Sequence, residues 1–174
     1  MSHDPEKVLI AMSGGVDSST AAAVLKERGR EVVGVTLRIP RYGPEDGRER
    51  SCCGQKAMDD ARRVAEKLGI PFYALDYREK FQQTVLRNFR QEYLSGRTPN
   101  PCVRCNNWLK FGYLQEAAVA LGADAIATGH YVRRRHNPDT GRWKLLRGTA
   151  DDDQSYFLFS LSQKQLALAR FPLG

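Results

Sequence analysis

The clearest chemical signal in this chain is a stretch rich in glycine and serine that follows a short apolar run. Residues 8–11 are all apolar, which is typical of a buried strand. Ser13-Gly14-Gly15 ends the run, and Asp17 then opens a segment rich in alanine and leucine. A strand, a glycine turn and a helix N-terminus together present backbone N–H groups and a helix dipole to an anion. The stretch therefore predicts a phosphate-binding loop.

Two commoner nucleotide signatures do not match this loop. It lacks the G-x-x-x-x-G-K-[ST] pattern with its lysine, and no third glycine stands at the spacing of a dinucleotide fingerprint. The structural alternative is an ordinary corner between a strand and a helix in an α/β domain.

Cys102 and Cys105 form a C-x-x-C pair that contains Arg104 and precedes a predicted helix. A helix N-terminus and a nearby cation both favour the thiolate, so at least one of these thiols should be reactive. A zinc site would need a second ligand pair, and the adjacent Cys52 and Cys53 are poorly placed to chelate one tetrahedral ion. A thioredoxin-like motif would directly follow a strand, whereas prolines precede this pair. The remaining interpretation is sulfur handling, by a nucleophilic thiol or by iron–sulfur ligands.

Several other groups have both a functional and a structural interpretation. His130 follows a strand end in a turn next to a glycine, where it is either a satisfied polar residue or a substrate contact. The run 133–135 consists of three arginines, which either meet phosphates or form a solvated strand. Residues 151–156 form either a polar linker or a site for magnesium or a base edge. Cys52 and Cys53 are interpreted as small buried thiols.

The bulk properties narrow the class of protein. At 174 residues the chain suits one domain. A net charge of +7 fits a polyanionic partner such as nucleic acid. No apolar run reaches the length of a membrane span and the N-terminus has no secretory pattern, so we expect a cytoplasmic protein without a membrane partner. In that reducing compartment the four cysteines favour chemistry or metal binding over disulfides.

The order of elements predicts the fold. Strands are expected at 8–11, 31–37, 72–75 and 124–128, with helices between them and a small hairpin at about 130–147. One helix is predicted from apolar residues recurring every four positions between Phe81 and Tyr93, and residues 38–50 and 97–107 are expected to be loops. Strands that alternate with helices imply an α/β fold with a doubly wound parallel sheet, whose ligands bind at the C-terminal strand ends. Ser13, Leu37 and Gly129 follow or end such strands.

Five strings, taken in order, point to one family. SGGVDSS resembles the loop of ATP pyrophosphatases, and AMSGGVDSS, GRTPNPCVRCN, LGADAIATGHYVRR, LLRG and DDQSYFL together resemble the bacterial tRNA-specific 2-thiouridylases. The resemblance implies an ATP-pyrophosphatase type of sheet and the use of ATP with magnesium to adenylate the C2 oxygen of the wobble uridine. A cysteine persulfide then supplies sulfur in tRNAs for Lys, Glu and Gln. The implied partners are the tRNA anticodon arm and a sulfur-relay protein or cysteine desulfurase.

The resemblance also assigns residues. It makes Cys105 the nucleophile and gives Asp17 a catalytic role. It places Asn100, Pro101 and Cys102 at the target base. Its tRNA contacts are His130, Asp152, Asp153 and Gln154, and its ATP contacts are Ala11, Met12, Ser13, Gly14, Gly15, Val16, Asp17, Ser18, Leu37 and Gly129.

Two departures from the family pattern matter. The family commonly has aspartate where this chain has Cys102, which raises the alternative that Cys102 and Cys105 hold a [4Fe-4S] cluster with a third thiol. The family also carries its persulfide cysteine and two β domains downstream of the matching region. We therefore expect residues 1–174 to be an N-terminal catalytic domain that binds ATP but does not complete thiolation alone.

Two other functions are compatible with parts of the pattern. One is a different ATP pyrophosphatase, either a cluster-dependent tRNA thiolase or a small-molecule amide-forming synthetase. The other is a non-catalytic nucleotide-binding module of the α/β class, which would leave Cys102 and Cys105 without a role.

Overall fold

A computed structural model describes residues 5–40, 54–149 and 152–174. Over these residues the chain forms a parallel sheet of five strands, with helices on both faces, and a separate two-stranded hairpin. In chain order the strands are β1 (Lys7–Ala11), β2 (Glu31–Arg38), β3 (Phe72–Asp76), β4 (Ala125–Ala127), β5 (Val132–Asn137), β6 (Arg142–Arg147) and β7 (Ala169–Arg170).

The helices differ in winding. Two long stretches, 78–94 and 101–120, each contain a π-helical segment between α-helical ends. The helical elements are α1 (Val16–Glu27), α2 (Gln55–Leu68), α3 (Arg78–Phe81), a π segment (Gln82–Leu86), α4 (Arg87–Leu94), α5 (Pro101–Arg104), a second π segment (Cys105–Tyr113), α6 (Leu114–Ala120), a 3₁₀ turn (Ser155–Leu158) and α7 (Gln163–Leu168). No helix in the described ranges is long and apolar enough to cross a membrane.

The strand order in the large sheet is β3-β2-β1-β4-β7, and all neighbouring strands run parallel. The order reverses at β1, since β2 lies on one side of it and β4 on the other. In open α/β sheets a crevice forms outside the carboxyl ends of the strands at such a reversal. The predicted α/β class, the parallel doubly wound sheet and the hairpin are confirmed.

Each face of the sheet is covered by its own hydrophobic cluster. Val8 and Ile10 of β1 pack with α1 and α2 on one face, whereas Leu9 packs with helices 78–94 and 101–120 on the other. Successive side chains of a strand point to opposite faces. Burial of both faces explains why β1 is a continuous apolar run rather than an alternating one.

Two sequence-based predictions need correction. Residues 97–107 are not a loop throughout, because a helix begins at Pro101. Asn100 caps it by accepting hydrogen bonds from the backbone N–H groups of Cys102 (3.0 Å) and Val103 (3.2 Å). Proline fits the first helical position, where its missing N–H has no intrahelical partner. The sequence prediction also omitted β7 and α7, which are too short for a periodic signal.

Other predictions lie wholly or partly outside the described residues. Cys52 and Cys53 belong to the undescribed range 41–53, as does most of the loop predicted at 38–50.

We predict that Leu9→Ala lowers the free energy of unfolding by about 2–5 kcal/mol, because it removes a fully buried side chain from the central strand. Leu94→Ala is the matched control, since Leu94 is 90% exposed and its truncation should change stability by less than about 0.5 kcal/mol. Urea unfolding followed by circular dichroism measures both. Equal effects of the two substitutions would contradict the arrangement of the core.

Candidate functional site

The Gly-Ser loop between β1 and α1 is held in shape by its own serines. The backbone N–H of Ser13 donates to the hydroxyl of Ser18 (3.1 Å), and that hydroxyl also lies 3.1 Å from the Gly15 carbonyl oxygen. Ser19 donates to the same carbonyl at 2.9 Å. Ser18 is 5% exposed. Ser18 and Ser19 therefore shape the loop around the N-terminus of α1.

Two glycines let other backbone segments approach this loop. Gly14 has a φ of +76°, and a Cβ there would lie 2.0 Å from the Ala57 carbonyl oxygen of α2. Gly129 follows β4, and a Cβ there would lie 2.7 Å from the backbone nitrogen of Ser18. Larger residues would push α2 or β4 away from the loop.

A cleft of about 160 Å³ opens at the carboxyl ends of β1, β2 and β4, where the strand order reverses. It collects most of the predicted ATP contacts together with the predicted nucleophile Cys105. Its lining consists of Ala11, Met12, Ser13, Asp17, Ser18, Val35, Leu37, Ile39, Cys105, Lys110, Thr128, Gly129, His130 and Gln154.

Four lining residues were not predicted from the sequence: Val35, Ile39, Lys110 and Thr128. Val35 and Ile39 lie two residues before and after Leu37, so the two-residue period of a strand predicts that they share its face. Thr128 immediately precedes the predicted Gly129. Lys110 was not predictable in this way, because it does not lie three or four residues from Cys105.

Lys110 and Cys105 are brought together by π-helical winding. Both lie in the π segment that begins at Cys105, five positions apart, and both line the cleft. A π-helix joins residue i to residue i+5, whereas five positions in an α-helix turn the side chain well away from the first. The winding therefore lets Lys110 and the half-buried Cys105 face the same cleft. No ion pair to a carboxylate is found for Lys110 within the described ranges.

Among the described residues, Asp17 is the one carboxylate in the lining of the cleft. The hydroxyl of Tyr131 donates to its Oδ1 at 2.9 Å, and this hydrogen bond raises the pKa of Tyr131. Gln154 holds Tyr131 in place, since its backbone N–H donates to the Tyr131 carbonyl (3.2 Å) and its side-chain oxygen accepts from the Tyr131 N–H (3.4 Å). The first turn of α1 is thereby tied to the segment after β4.

His130 forms part of the cleft wall as a neutral imidazole. Burial, and secondarily the charge of Lys110, lower the pKa of His130 to about 3. Its Nδ1 lies 2.7 Å from the Thr128 hydroxyl, within hydrogen-bonding distance. His130 is therefore suited to hydrogen bonding with a ligand rather than to carrying charge at neutral pH.

The structure does not bring all of the predicted site residues into the cleft. Asp153 accepts hydrogen bonds from the N–H groups of Gly148 (3.1 Å) and Ser155 (3.2 Å) and from the Ser155 hydroxyl (2.8 Å), which lowers its pKa. It therefore joins the end of the hairpin to the 3₁₀ turn. The remaining predicted residues outside the lining are Gly14, Gly15, Val16, Asn100, Pro101, Cys102 and Asp152.

The described residues around the cysteine pair do not form a metal site. Across residues 5–40, 54–149 and 152–174, no three His, Cys, Asp or Glu side chains are grouped closely enough to hold a metal ion. A [4Fe-4S] cluster on Cys102 and Cys105 would need a further ligand from outside these ranges. A magnesium ion needs fewer protein ligands, because it is usually held by one or two carboxylates together with substrate phosphates. Asp17 could supply such a carboxylate.

A larger cleft, of about 710 Å³, lies between helices 78–94 and 101–120. Its lining is rich in amide side chains and contains none of the predicted site residues. Volume alone would favour it, but the smaller cleft combines the glycine loop, a thiol and charged groups at the sheet reversal. We therefore place the candidate site in the smaller cleft.

Comparison with known proteins identifies the family. Residues 6–174 match the family described as the tRNA methyl transferase HUP domain. The tRNA-specific 2-thiouridylase MnmA of Geotalea uraniireducens is 54% identical over 97% of this chain, and that of Heliobacterium modesticaldum is 53% identical over 97%. The chain spans only 46% and 44% of these relatives. A more distant solved structure is the glutamine-dependent NAD+ synthetase of Acinetobacter baumannii, which is 18% identical with a TM-score of 0.48. The match covers 71% of this chain and 21% of the synthetase.

The resemblance found in the five sequence strings is thus confirmed by curated relatives that match nearly the whole chain. The chain belongs to the tRNA methyl transferase HUP domain family, in the group whose curated members are named tRNA-specific 2-thiouridylases.

Proposed function

We propose that this chain is the ATP-using catalytic domain of an enzyme that forms 2-thiouridine in tRNA. The observation that carries the proposal is that residues of the Gly-Ser loop, Cys105 and Lys110 line one cleft. Adenylation needs the loop, and sulfur transfer needs the thiol. A nucleotide-binding module without catalysis would need only the first.

The lining of the cleft favours one orientation for ATP. The triphosphate would lie at the N-terminus of α1, where backbone N–H groups and the helix dipole favour anions. Val35, Leu37 and Ile39 form an apolar wall suited to the adenine ring. Asp17 would hold magnesium, which neutralises phosphate charge during the reaction.

Uridine activation would require no covalent bond to the protein. The C2 oxygen of uridine attacks the α-phosphorus, the uridine gives up its N3 proton, and pyrophosphate leaves. The loop N–H groups and Lys110 are placed to stabilise the negative charge that develops on phosphoryl oxygens. The neutral His130 offers a hydrogen bond to the base without adding charge.

Sulfur transfer would use Cys105 as a thiolate. The terminal sulfur of a persulfide, carried by a second cysteine, attacks C2 and AMP leaves. Cys105 then attacks the sulfur of that carrier cysteine and breaks the sulfur–sulfur bond. The released product takes a proton at N3 as 2-thiouridine, while the two cysteines form a disulfide that a thiol reductant must reduce.

Methyl transfer, the activity in the family description, has less support in this site. It would leave the glycine loop and the Cys105–Lys110 pair without a role, and the relatives at above 50% identity are named thiouridylases. The names of these relatives therefore favour thiolation over methyl transfer.

The proposal is tested by deleting the gene that encodes this chain and measuring the nucleosides of total tRNA by mass spectrometry. We expect selective loss of 5-substituted 2-thiouridine, while 4-thiouridine and 2-thiocytidine remain. A gene carrying Cys105→Ser should not restore the nucleoside, whereas the wild-type gene should. Persistence of 2-thiouridine in the deletion strain would overturn the proposed substrate.

For the nucleotide site, we predict that Asp17→Asn lowers the affinity for ATP in the presence of Mg²⁺ by about tenfold or more, because it removes a negative ligand of the metal. The affinity measured in EDTA should change little, so the ratio of the two dissociation constants isolates the metal contribution. Isothermal titration with the 174-residue chain measures both constants.

The matched control is Asp139→Asn, which alters an exposed carboxylate in the hairpin turn. Its dissociation constants should stay within about twofold of wild type, as expected for a surface change. Unchanged magnesium dependence in Asp17→Asn would refute the role of Asp17.

For the thiol, we predict that Lys110→Met slows alkylation of Cys105 by iodoacetamide at pH 7 by about fivefold, since loss of a neighbouring cation reduces the thiolate fraction. The pH profile of alkylation should move to higher pH, and Lys110→Arg should restore it. Peptide mass spectrometry separates Cys105 from the other cysteines. The control Lys56→Met removes an exposed lysine of α2, and a profile shifted equally by this control would contradict the local effect.

A further inference from the structure

The hairpin formed by β5 and β6 has two chemically different faces. In an antiparallel pair, residues directly opposite each other project from the same face. The register pairs Arg134 with Leu145 and His136 with Trp143 on one face. On the other face it pairs Arg133 with Leu146, Arg135 with Lys144 and Asn137 with Arg142. The three consecutive arginines are therefore divided between the faces.

The first face packs against the rest of the protein, and Arg134 has a structural role there. Its guanidinium lies 4.0 Å from the centre of the Trp143 ring and donates to the carbonyl oxygens of Leu166 (2.7 Å) and Ala167 (2.8 Å). Burial lowers the pKa of Arg134 to about 10. Arg134 thus caps the C-terminal end of α7, and its guanidinium is engaged within the protein rather than available to a ligand.

The second face is exposed and cationic. Arg133, Arg135, Arg142 and Lys144 are all exposed. Within the described part of the chain none of the four has an ion pair with a carboxylate. We call these four residues the cationic face. The sole side-chain hydrogen bond from the cationic face over the described ranges runs from the Arg133 Nε to the Arg147 carbonyl oxygen, at 3.0 Å.

The arrangement of charge on the cationic face is unfavourable for the isolated protein. Arg135 stands directly opposite Lys144, and like charges in that position destabilise an antiparallel pair. A polyanion that lies along the face removes the repulsion and releases its own counterions. The charge pattern therefore fits a chain of phosphates better than a single small anion.

The hairpin also begins next to the candidate cleft. His130 of the cleft wall and Tyr131, which bonds Asp17, immediately precede β5. A six-residue strand extends about 20 Å at the usual rise per residue. A nucleic acid that places one base in the cleft can therefore run its backbone along the hairpin.

We infer that the cationic face binds the phosphate backbone of the RNA substrate, beside the nucleotide that enters the cleft. The identity of that RNA as tRNA rests on the proposed function, whereas the binding of RNA phosphates rests on the hairpin alone. Contacts of this kind position a substrate without reading its sequence.

The expected signature is a change in salt dependence. Each phosphate contact contributes about 0.7–0.9 to the slope of log affinity against log salt concentration. In the triple variant Arg135→Gln/Arg142→Gln/Lys144→Gln, the magnitude of this slope should therefore fall by about two to three. The affinity for tRNA at 150 mM salt should fall about tenfold or more. Arg133 is left unchanged because it also bonds the Arg147 carbonyl.

The experiment measures binding of fluorescent tRNA transcripts by anisotropy, without ATP, from 50 to 300 mM salt. A matched control, Arg28→Gln/Lys56→Gln/Lys67→Gln, removes the same number of positive charges from exposed positions at the C-terminal end of α1 and in α2. Both variants lower the net charge from +7 to +4. Thermal melting verifies that both remain folded, and hydrogen exchange should show protection of residues 142–147 by tRNA in the wild type.

The outcomes separate this inference from the proposed function. A flattened slope in the hairpin triple alone supports the inference, even if 2-thiouridine persists in the deletion strain. An unchanged slope, or an equal loss in both triples, overturns it while leaving the thiolation proposal standing. Tighter binding of vesicles rich in anionic lipid than of tRNA would also overturn it, because the face would then be a membrane surface.

Discussion

The close approach of Gly129 to the first turn of α1 is the constraint on which the candidate site depends. A side chain at Gly129 would lie within 2.7 Å of the Ser18 nitrogen, so only a bare backbone allows the end of β4 to reach the loop. That approach brings Thr128 and His130 into the wall of the cleft that contains Ser13 and Asp17. The reversal of strand order creates a crevice in many α/β proteins, and here the glycine gives the crevice its particular walls.

The same approach determines the course of the chain after β4. Because Tyr131 is next to the cleft, its hydroxyl reaches Asp17 and its backbone is held by Gln154. Gly148 is drawn in as well, since a Cβ there would lie 2.5 Å from the Tyr131 carbonyl oxygen. Both ends of the hairpin are thus anchored at the cleft, and the orientation of the hairpin is set by the geometry of the candidate site.

Much of the fold and part of the site were predictable from the sequence. The apolar run of β1 and the glycines after it indicated the buried strand, the loop and the helix start, and the order of strands and helices indicated the parallel sheet. Both π segments were beyond such reasoning. The recurrence every four positions from Phe81 to Tyr93 exceeds the α-helical period of 3.6 and is consistent with the π segment within that helix. Only the structure links this four-residue recurrence to π-helical winding.

Tertiary contacts explain the other differences between the sequence-based predictions and the structure. Lys110 lies five positions from Cys105, a spacing that a regular helix would place on different sides, so no sequence periodicity connects the two. Asn100 and Asp153 stand in strings that suggested RNA contacts, yet their side chains bond the backbone of α5 and of the hairpin end. Short polar side chains serve caps and turns as readily as ligands, and sequence alone does not distinguish these roles.

The distribution of charge links the hairpin with the chemistry of the cleft. The described lining of the cleft contains one carboxylate, one lysine and a neutral imidazole, so these groups together carry little net charge before a ligand binds. The cationic face beside it carries four positive groups without carboxylate partners among the described residues. A polyanion is thus attracted first to the hairpin, where contacts are exposed and sensitive to salt. On the proposed function, the cleft would then discriminate among bases by hydrogen bonds from groups such as His130, because the electrostatic attraction that delivers the substrate would be located elsewhere.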